Sequence, residues 1–227
     1  MLFRSLIYFP SFDQIFFVFI DQGALLAKCI LHSLRLYITG VFFGGIAGFL
    51  IGILIGWSKA ANYWIFPPIR IIGPIPSSVW IPVALMIFPS LFGASAFIIA
   101  LSICFPVTLL TSSGIQNVSK RSFEVASTLG ANTRFQIMHV AIPAALPSVF
   151  LGIFQGVTMC FMALMIAEMV GVKYGIGWFV NWKQQTMSFD SVYAGLFLIA
   201  LMCFLVINVL MKIRSKVLVW QEGEIRW

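Results

Sequence analysis

Apolar positions along the chain gather into long blocks instead of alternating with polar ones. Residues 36–58 contain 23 positions without a Lys, Arg, Asp or Glu, residues 71–119 contain 49, residues 135–167 contain 33 and residues 191–211 contain 21. A helical membrane crossing needs about 20 apolar residues, and an ionised side chain in hydrocarbon is costly. These blocks predict five crossings, at 36–57, 76–89, 94–113, 143–168 and 191–211. The longest block holds two of them, parted by Pro89-Ser90-Leu91-Phe92-Gly93, where proline and glycine interrupt the apolar run. Before Arg35 the apolar stretches are cut by Pro10, Asp13 and Asp21. Residues 1–34 therefore read as an N-terminal interfacial segment, with a membrane-surface helix from about Phe12 to Leu34. Pro10 splits its apolar region and no small-residue cleavage site follows, which argues against a signal peptide.

Composition agrees with the pattern. Of 227 residues, 61% are hydrophobic and 9% are charged, and the mean hydropathy is +1.02. Soluble domains carry about 25% charged residues, so a soluble enzyme, a nucleic-acid binder and a disordered tail are all excluded. The fold class expected is an all-α integral membrane protein. The net charge of +7 is spread between apolar blocks, as expected of loop cations that orient crossings. Lys59, Arg70, Lys120, Arg121, Arg134, Lys212, Arg214, Lys216 and Arg226 fall on one face. Arg4, Lys28, Arg35, Lys173 and Lys183 fall on the other. The richer face is expected to be cytoplasmic, with the C-terminus on that side. Cys29, Cys104, Cys160 and Cys203 each stand alone in apolar sequence, without the grouped spacing of a disulfide or zinc framework.

Several local patterns have structural or functional content. Gly40, Gly44, Gly48, Gly52 and Gly56 recur every fourth residue, a spacing that lets another helix approach closely. Internal packing is the plainer reading of that stripe, and a gate or dimer seam the sharper one. Lys120 to Leu129 reads as a short helix ended by Gly130 as a C-terminal cap. Asn132 can cap a second helix from Thr133 to about His139, with Pro143 closing it and able to sit in the first turn of the next crossing. The two would form a knob beside the membrane, shaped to fit a partner's groove. Glu168, about 25 residues beyond Pro143, is expected at the outer interface. Because a carboxylate opposes the dipole at a helix C-terminus, it invites a partner such as Lys173 or a helix that runs further; a structural or interfacial role is the plainer reading, and a role in the pathway or an outer gate the alternative. Pro74 and Pro76 mark a helix break of the kind that lines pathways. Tyr174, Trp178 and Trp182 read as interfacial anchors or as part of a surface that an extramembrane partner meets, and Lys212-Ile213-Arg214-Ser215-Lys216 as a cluster suited to anionic headgroups. Enzyme signatures are lacking: there is no phosphate-binding GxxxxGK[ST] loop, and His32 and His139 fall on opposite predicted faces, which removes any histidine-based metal cluster.

The knob resembles the EAA loop of ABC-transporter permeases, in which EAA is followed by three residues, Gly, nine residues and I-x-L-P. Here Glu124-Val125-Ala126 is followed by three residues, Gly130, nine residues and Val140-Ala141-Ile142-Pro143. Ser33-Leu34-Arg35, Pro74-Ile75-Pro76, Pro143-Ala144-Ala145-Leu146-Pro147 and Ala167-Glu168 before Gly175-Ile176-Gly177 look like the nitrate/sulfonate/taurine/bicarbonate branch. The resemblance extends from about Phe9 to Trp220.

The resemblance implies a type I importer permease, the membrane subunit of an ATP-driven system. Its partners would be an ABC ATPase, a second permease copy in a homodimer, an extracytoplasmic solute-binding protein and the bilayer of a bacterial inner membrane, with no nucleic acid. The ATPase would dock at Glu124, Ala126, Gly130, Ala131 and Arg134. ATP and Mg would reside on the ATPase, with no cofactor bound by this chain. Family members usually carry six crossings, and the first of them is the one this chain is expected to lack. The substrate expected is a small sulfonate, nitrate, bicarbonate or related solute. No cation lies deep in the apolar blocks, so weak intrinsic selectivity is expected. The competing readings are an autonomous carrier or channel, which would need polar coupling groups at mid-membrane, and a membrane scaffold with no ATPase partner.

Overall fold

Four helices are long and apolar enough to cross a membrane: Gly23–Trp57, Leu91–Gln116, Thr133–Val170 and Phe189–Val217. They belong to a computed structural model that describes residues 10–219. In chain order the helices are α1 (Phe12–Asp21), α2 (Gly23–Trp57), α3 (Lys59–Ile72), α4 (Ile81–Ile87), α5 (Leu91–Gln116), α6 (Lys120–Thr128), α7 (Thr133–Gln136), α8 (Ile142–Gly171), α9 (Ile176–Gln185) and α10 (Phe189–Val217). A 3-10 turn at Ser77–Trp80 leads into α4, and a π-helical turn at Ile137–Ala141 joins α7 to α8. No strand occurs among the described residues.

The helix ends depart from the apolar blocks in three places, each with a local cause. The surface helix expected over 12–34 is divided. α1 ends at Asp21, and residues from Gly23 onward belong to α2, which runs for 35 residues. A helix of that length spans about 52 Å at 1.5 Å per residue, well beyond a hydrocarbon core of about 30 Å. Lys28 and Arg35 can therefore sit on α2 outside the apolar layer. Both are exposed, and the Arg35 guanidinium lies 5.7 Å from the centre of the Phe92 ring. Residues 1–9 of the expected interfacial segment, with Arg4, lie outside the described residues, as does Arg226.

The segment at 76–89 is not a crossing by itself. Ser77–Ile87 reaches crossing length only when paired with α3, from which it is parted by a break at Gly73–Pro76. Lys59 and Arg70 made α3 look like a loop, whereas Ser58 starts it as a helix by accepting the Ala61 N–H at 3.3 Å. Third, Pro143 lies in the first turn of α8, as expected, but does not part α8 from the second knob helix. The chain stays helical from Thr133 to Val170. Proline lacks an N–H and crowds the carbonyl four residues before it. The π turn just upstream loosens the spacing there, with Ile142 N–H bonded to Ile137 O.

The chain divides into two compact units. Among the described residues, one comprises 10–40, Ser77–Ile99 and Cys160–Ile207; the other comprises Val41–Pro76, Ala100–Met159 and 208–219. The first unit is packed around Leu36, Ile98, Leu164, Ile176 and Phe179, all nearly inaccessible, with Tyr37 stacked on Phe161 at 4.5 Å between ring centres. In the second, Ile115, Ala141 and Ala145 form a core cluster against which Ile53, Trp57 and Phe123 pack.

Candidate functional site

The knob belongs to the second unit and is built from short-range bonds. Helix α6 ends with Leu129 as its C-cap. Gly130 then adopts a positive φ of 79°, a left-handed conformation that glycine takes without steric cost. Two hydrogen bonds close the corner. Gly130 N–H reaches Ser127 O at 3.0 Å, and Ala131 N–H reaches Ala126 O at 3.0 Å. This paired arrangement is the Schellman motif, which satisfies carbonyls left free at a helix end. Two residues on, Asn132 caps α7: its side-chain oxygen accepts the Phe135 N–H at 2.8 Å. Gln136 then ties the two short helices together, donating to Ser127 Oγ at 3.0 Å and to Ala131 O at 3.1 Å. Phe123 anchors the assembly, its ring meeting Trp57 edge-on at 5.6 Å.

The five residues expected to meet an ATPase are not equivalent. Glu124, Gly130 and Arg134 are exposed, Ala131 is half-buried and Ala126 is buried. Ala126 accepts the Ala131 N–H through its carbonyl and, though buried, borders the groove beside the corner. Around the corner lies an open groove of about 830 Å³, lined by Arg121, Ser122, Val125, Ala126, Leu129, Gly130, Ala131, Asn132, Phe135 and Val140. Most of that lining is apolar, and Val125 and Leu129 are 59% and 82% exposed. Exposed apolar surface beside polar residues is the usual mark of a contact site. A Cβ added at Gly130 would meet nothing within 4 Å, so the corner is open to an incoming surface. Gln136 had no distinguishing pattern in the sequence; only its spacing from Ser127 could have pointed to it.

The glycine stripe is filled from within the chain. A Cβ at Gly40 would come within 2.6 Å of Ile99. At Gly48 it would come within 2.6 Å of Cys104 O, at Gly52 within 2.6 Å of Thr111, and at Gly56 within 2.8 Å of Ile115; Gly44 faces Ala100 and Ile103. All these neighbours are on α5. Thr108 Oγ1 uses the close approach to donate to Gly48 O at 3.1 Å. Pro74 and Pro76 are exposed in the break between α3 and the 3-10 turn.

Glu168 lies on α8, which runs on past it to Gly171, and it is 0% exposed within the first unit, with partners other than Lys173. Ser33 Oγ donates to its Oε1 at 2.6 Å, and Gly177 N–H donates to its Oε2 at 2.8 Å. The same Ser33 hydroxyl accepts the Ile176 N–H at 2.9 Å. Ile176 and Gly177 are the first two residues of α9, whose N-cap Gly175 has no side chain to offer. Ser33 on α2 and Glu168 on α8 therefore cap α9 from outside it. That satisfies free N–H groups of the first turn and sets a carboxyl at the positive end of the helix dipole. Gly175 has φ 150°, and a Cβ there would lie 2.5 Å from the Glu168 carboxyl carbon, so glycine is required on both counts. Among the described residues no group of three or more His, Cys, Asp or Glu side chains could hold a metal ion.

Comparison with known proteins agrees with this architecture. Residues 40–219 match the family described as binding-protein-dependent transport system inner membrane component. A putative ABC transporter permease protein of Methanocaldococcus jannaschii is 31% identical over 126 residues, covering 56% of this chain and 47% of that protein. The nitrate import permease of Synechococcus elongatus is 29% identical over 129 residues, covering 56% and 46%. The bicarbonate transport system permease of the same species is 28% identical over 136 residues, covering 59% and 49%. The chain thus spans about half the length of these curated relatives. Among solved structures, an inward-facing MetNI methionine ABC transporter chain superposes with a TM-score of 0.71 at 18% identity, covering 87% of this chain and 98% of that one. At that identity the likeness establishes the fold. With the match running from inside α2 to the end of α10, the chain belongs to the binding-protein-dependent transport system inner membrane component family, the permease subunits of ABC importers.

Proposed function

We propose that this chain forms part of the solute pathway of an ATP-driven importer and couples to a separate ATPase subunit through the α6–α7 knob. The observation that carries this reading is the exposed corner at Gly130, a left-handed glycine held by a Schellman motif beside an open, mostly apolar groove. Such a corner is rigid by local bonding yet bare on its outer side. Glu124, Gly130 and Arg134 supply its exposed contacts, while Ala126 and Ala131 keep its shape. ATP and Mg belong to the ATPase in this scheme. A second permease copy and an extracytoplasmic solute-binding protein complete the assembly, and the C-terminus lies on the cytoplasmic side with the knob. Closure of the ATPase pair would pull the knobs and shift the helices between two packings, as a switch with two discrete states requires. The break at Pro74–Pro76 is the pathway element of this scheme.

The relatives named for nitrate and bicarbonate import support a small anion as substrate, with sulfonates as a further class. No Lys or Arg lies within residues 36–58, 71–119, 135–167 or 191–211, so selection is assigned to the solute-binding partner. Tight nitrate binding by the isolated permease would overturn that assignment.

The test is affinity purification of the tagged chain from its native membranes, with wild type beside Gly130→Trp. Co-purification of an ATPase with wild type and its loss from a variant of unchanged melting temperature support the reading. A well-folded wild type that brings no ATPase would favour an autonomous carrier or a scaffold.

A further inference from the structure

One side of α8 carries polar atoms deep inside the crossing. Gln155 lies 12 residues beyond Pro143 and 13 before Glu168, about 18 Å and 20 Å of helix. It therefore stands near the middle of a crossing whose hydrocarbon layer is about 30 Å thick. It is the one Asn or Gln placed more than four positions inside any of the four charge-free blocks. Its side chain is exposed, and the amide bonds to no other described residue. Thr158, one turn on, is exposed as well, and its hydroxyl donates back to Phe154 O at 2.9 Å. Leu151, Phe154 and Met159, all exposed, complete a strip that belongs wholly to the second unit.

An amide in hydrocarbon gives up its hydrogen bonds with water, and polar groups within crossings face a wet cavity or another polypeptide. Acyl chains are thereby excluded as the neighbour of Gln155. A second copy of this chain is the next candidate, and the residues argue against it. Close helix packing in a membrane uses small side chains, and α8 has placed its glycines on the other side. A Cβ at Gly156 would come within 2.6 Å of Ile103, and one at Gly152 within 3.1 Å of Pro106 O; both neighbours are on α5. The exposed strip holds no Gly, Ala or Ser. Its Leu and Phe are bulky and its Met adapts its shape to what it meets. That suits changing contacts better than a fixed seam, and it leaves the solute as occupant.

We propose that Gln155 is a solute contact midway along the pathway, its amide N–H groups donating to the oxygens of a small oxyanion as it passes Phe154, Thr158 and Met159. The inference rests on the importer reading above and adds a contact to the break at Pro74–Pro76. An amide offers two donors and no charge, and Thr158 adds a third when its hydroxyl turns away from Phe154 O. Such a set replaces part of the anion's hydration without trapping it, and a conducting site must bind weakly enough to release. A lysine or arginine in the same place would retain the anion. The contact therefore sets the rate of passage, while the solute-binding partner sets affinity.

The first test asks whether water reaches the strip. In native membranes, Gln155→Cys and Phe204→Cys are treated with sulfonatoethyl methanethiosulfonate, an anionic reagent that does not cross bilayers. The unsubstituted chain gives the background of the four native cysteines. Phe204 is 63% exposed on α10 and serves as the apolar reference. Because the thiolate is the reacting form, a cysteine in a wet pathway should be labelled about tenfold faster than one in lipid. Labelling of Gln155→Cys no faster than Phe204→Cys would overturn the inference, and copper-phenanthroline cross-linking of the same variant into a dimer would then identify a second copy as the occupant. The second test is chain-dependent uptake of labelled nitrate and labelled ethanesulfonate by cells, with wild type beside Gln155→Leu and Gln155→Asn at matched membrane abundance. We expect Gln155→Leu to lower the maximal rate about tenfold with KM unchanged, the mark of a contact made in passage and not in capture, and Gln155→Asn to recover part of it. Loss for one of the two anions supports the contact and identifies which of them supplies the oxygens. Undiminished uptake by Gln155→Leu would overturn the contact and leave the importer reading standing. Wild-type uptake of neither anion would overturn the oxyanion as occupant, and co-purification of the ATPase separates that result from failure of the importer reading.

Discussion

The knob and the α9 cap solve the same problem, the free polar groups at a helix end, by opposite means. In the knob every bond that shapes the corner joins residues close in sequence: Asn132 to Phe135, Gln136 to Ala131 and Ser127, Ala131 to Ala126. At α9 the capping groups come from helices far away along the chain, with Ser33 separated from Glu168 by 135 positions and from Ile176 by 143. The knob is exposed and the cap is buried. A local, exposed device can keep its shape while helices around it move, and its loss costs little stability. A buried device made from two crossings holds only while those crossings stay together, so it reports on their packing.

The strongest way to break the comparison is at Glu168. Glu168→Ala removes the partner of two buried donors, each costing ~1–3 kcal/mol when left without one. We expect a marked fall in the unfolding temperature of the purified protein in nanodiscs. Glu168→Gln keeps a carbonyl oxygen and should lose a minor part of that. A Glu168→Ala variant that melts like wild type would show that water or rearrangement replaces the cap. Next come the two positive-φ glycines. Gly175→Ala meets both backbone strain and the Glu168 carboxyl, whereas Gly130→Ala meets strain alone, roughly 1–2 kcal/mol for a left-handed residue. The first should destabilise the protein clearly more than the second, and equal melting temperatures would remove the distinction.

Smaller effects belong to the knob. Asn132→Ala should cost about 1 kcal/mol of local helix stability and leave the global melting temperature nearly unchanged. Co-purification of an ATPase should weaken, as expected if the knob opens on its own. A global melting shift as large as that of Glu168→Ala would mean that the knob is not a separate local unit. Gln136→Ala should have the smallest effect, visible as faster amide exchange of Gly130 and Ala131. No change in that exchange would show that the Schellman motif alone sets the corner.

The same contrast explains what could be read in advance. The helix stop at Gly130 and the Asn132 cap were legible because each depends on residues a few positions apart, and capping chemistry favours particular residue types. The glycine stripe was legible as a close-packing surface, but its partner was not, since a four-residue repeat says nothing about which helix fills it. The burial of Glu168 was not legible, because helix length fixes its height along α8 and not its neighbours. Its true environment depends on Ser33 and on the turn at Gly175, whose backbone no spacing rule predicts. The helix at Lys59–Ile72 was not legible for a related reason: Lys59 and Arg70 interrupt the apolar block there, although Ser58 caps a helix that carries both. Ala126 is buried yet borders the groove, a combination that its place in the sequence did not disclose.

Hydrophobic blocks, the sparse charge and the capping residues of the knob follow from the sequence by itself, because each is set by side chains adjacent in the chain or one helical turn apart. The tertiary structure decided that α5 fills the glycine stripe and that Ser33 and Glu168 cap α9. Those outcomes depend on which distant segments become neighbours, and a hydrogen bond between residues 135 positions apart leaves no periodic trace in the order of the amino acids.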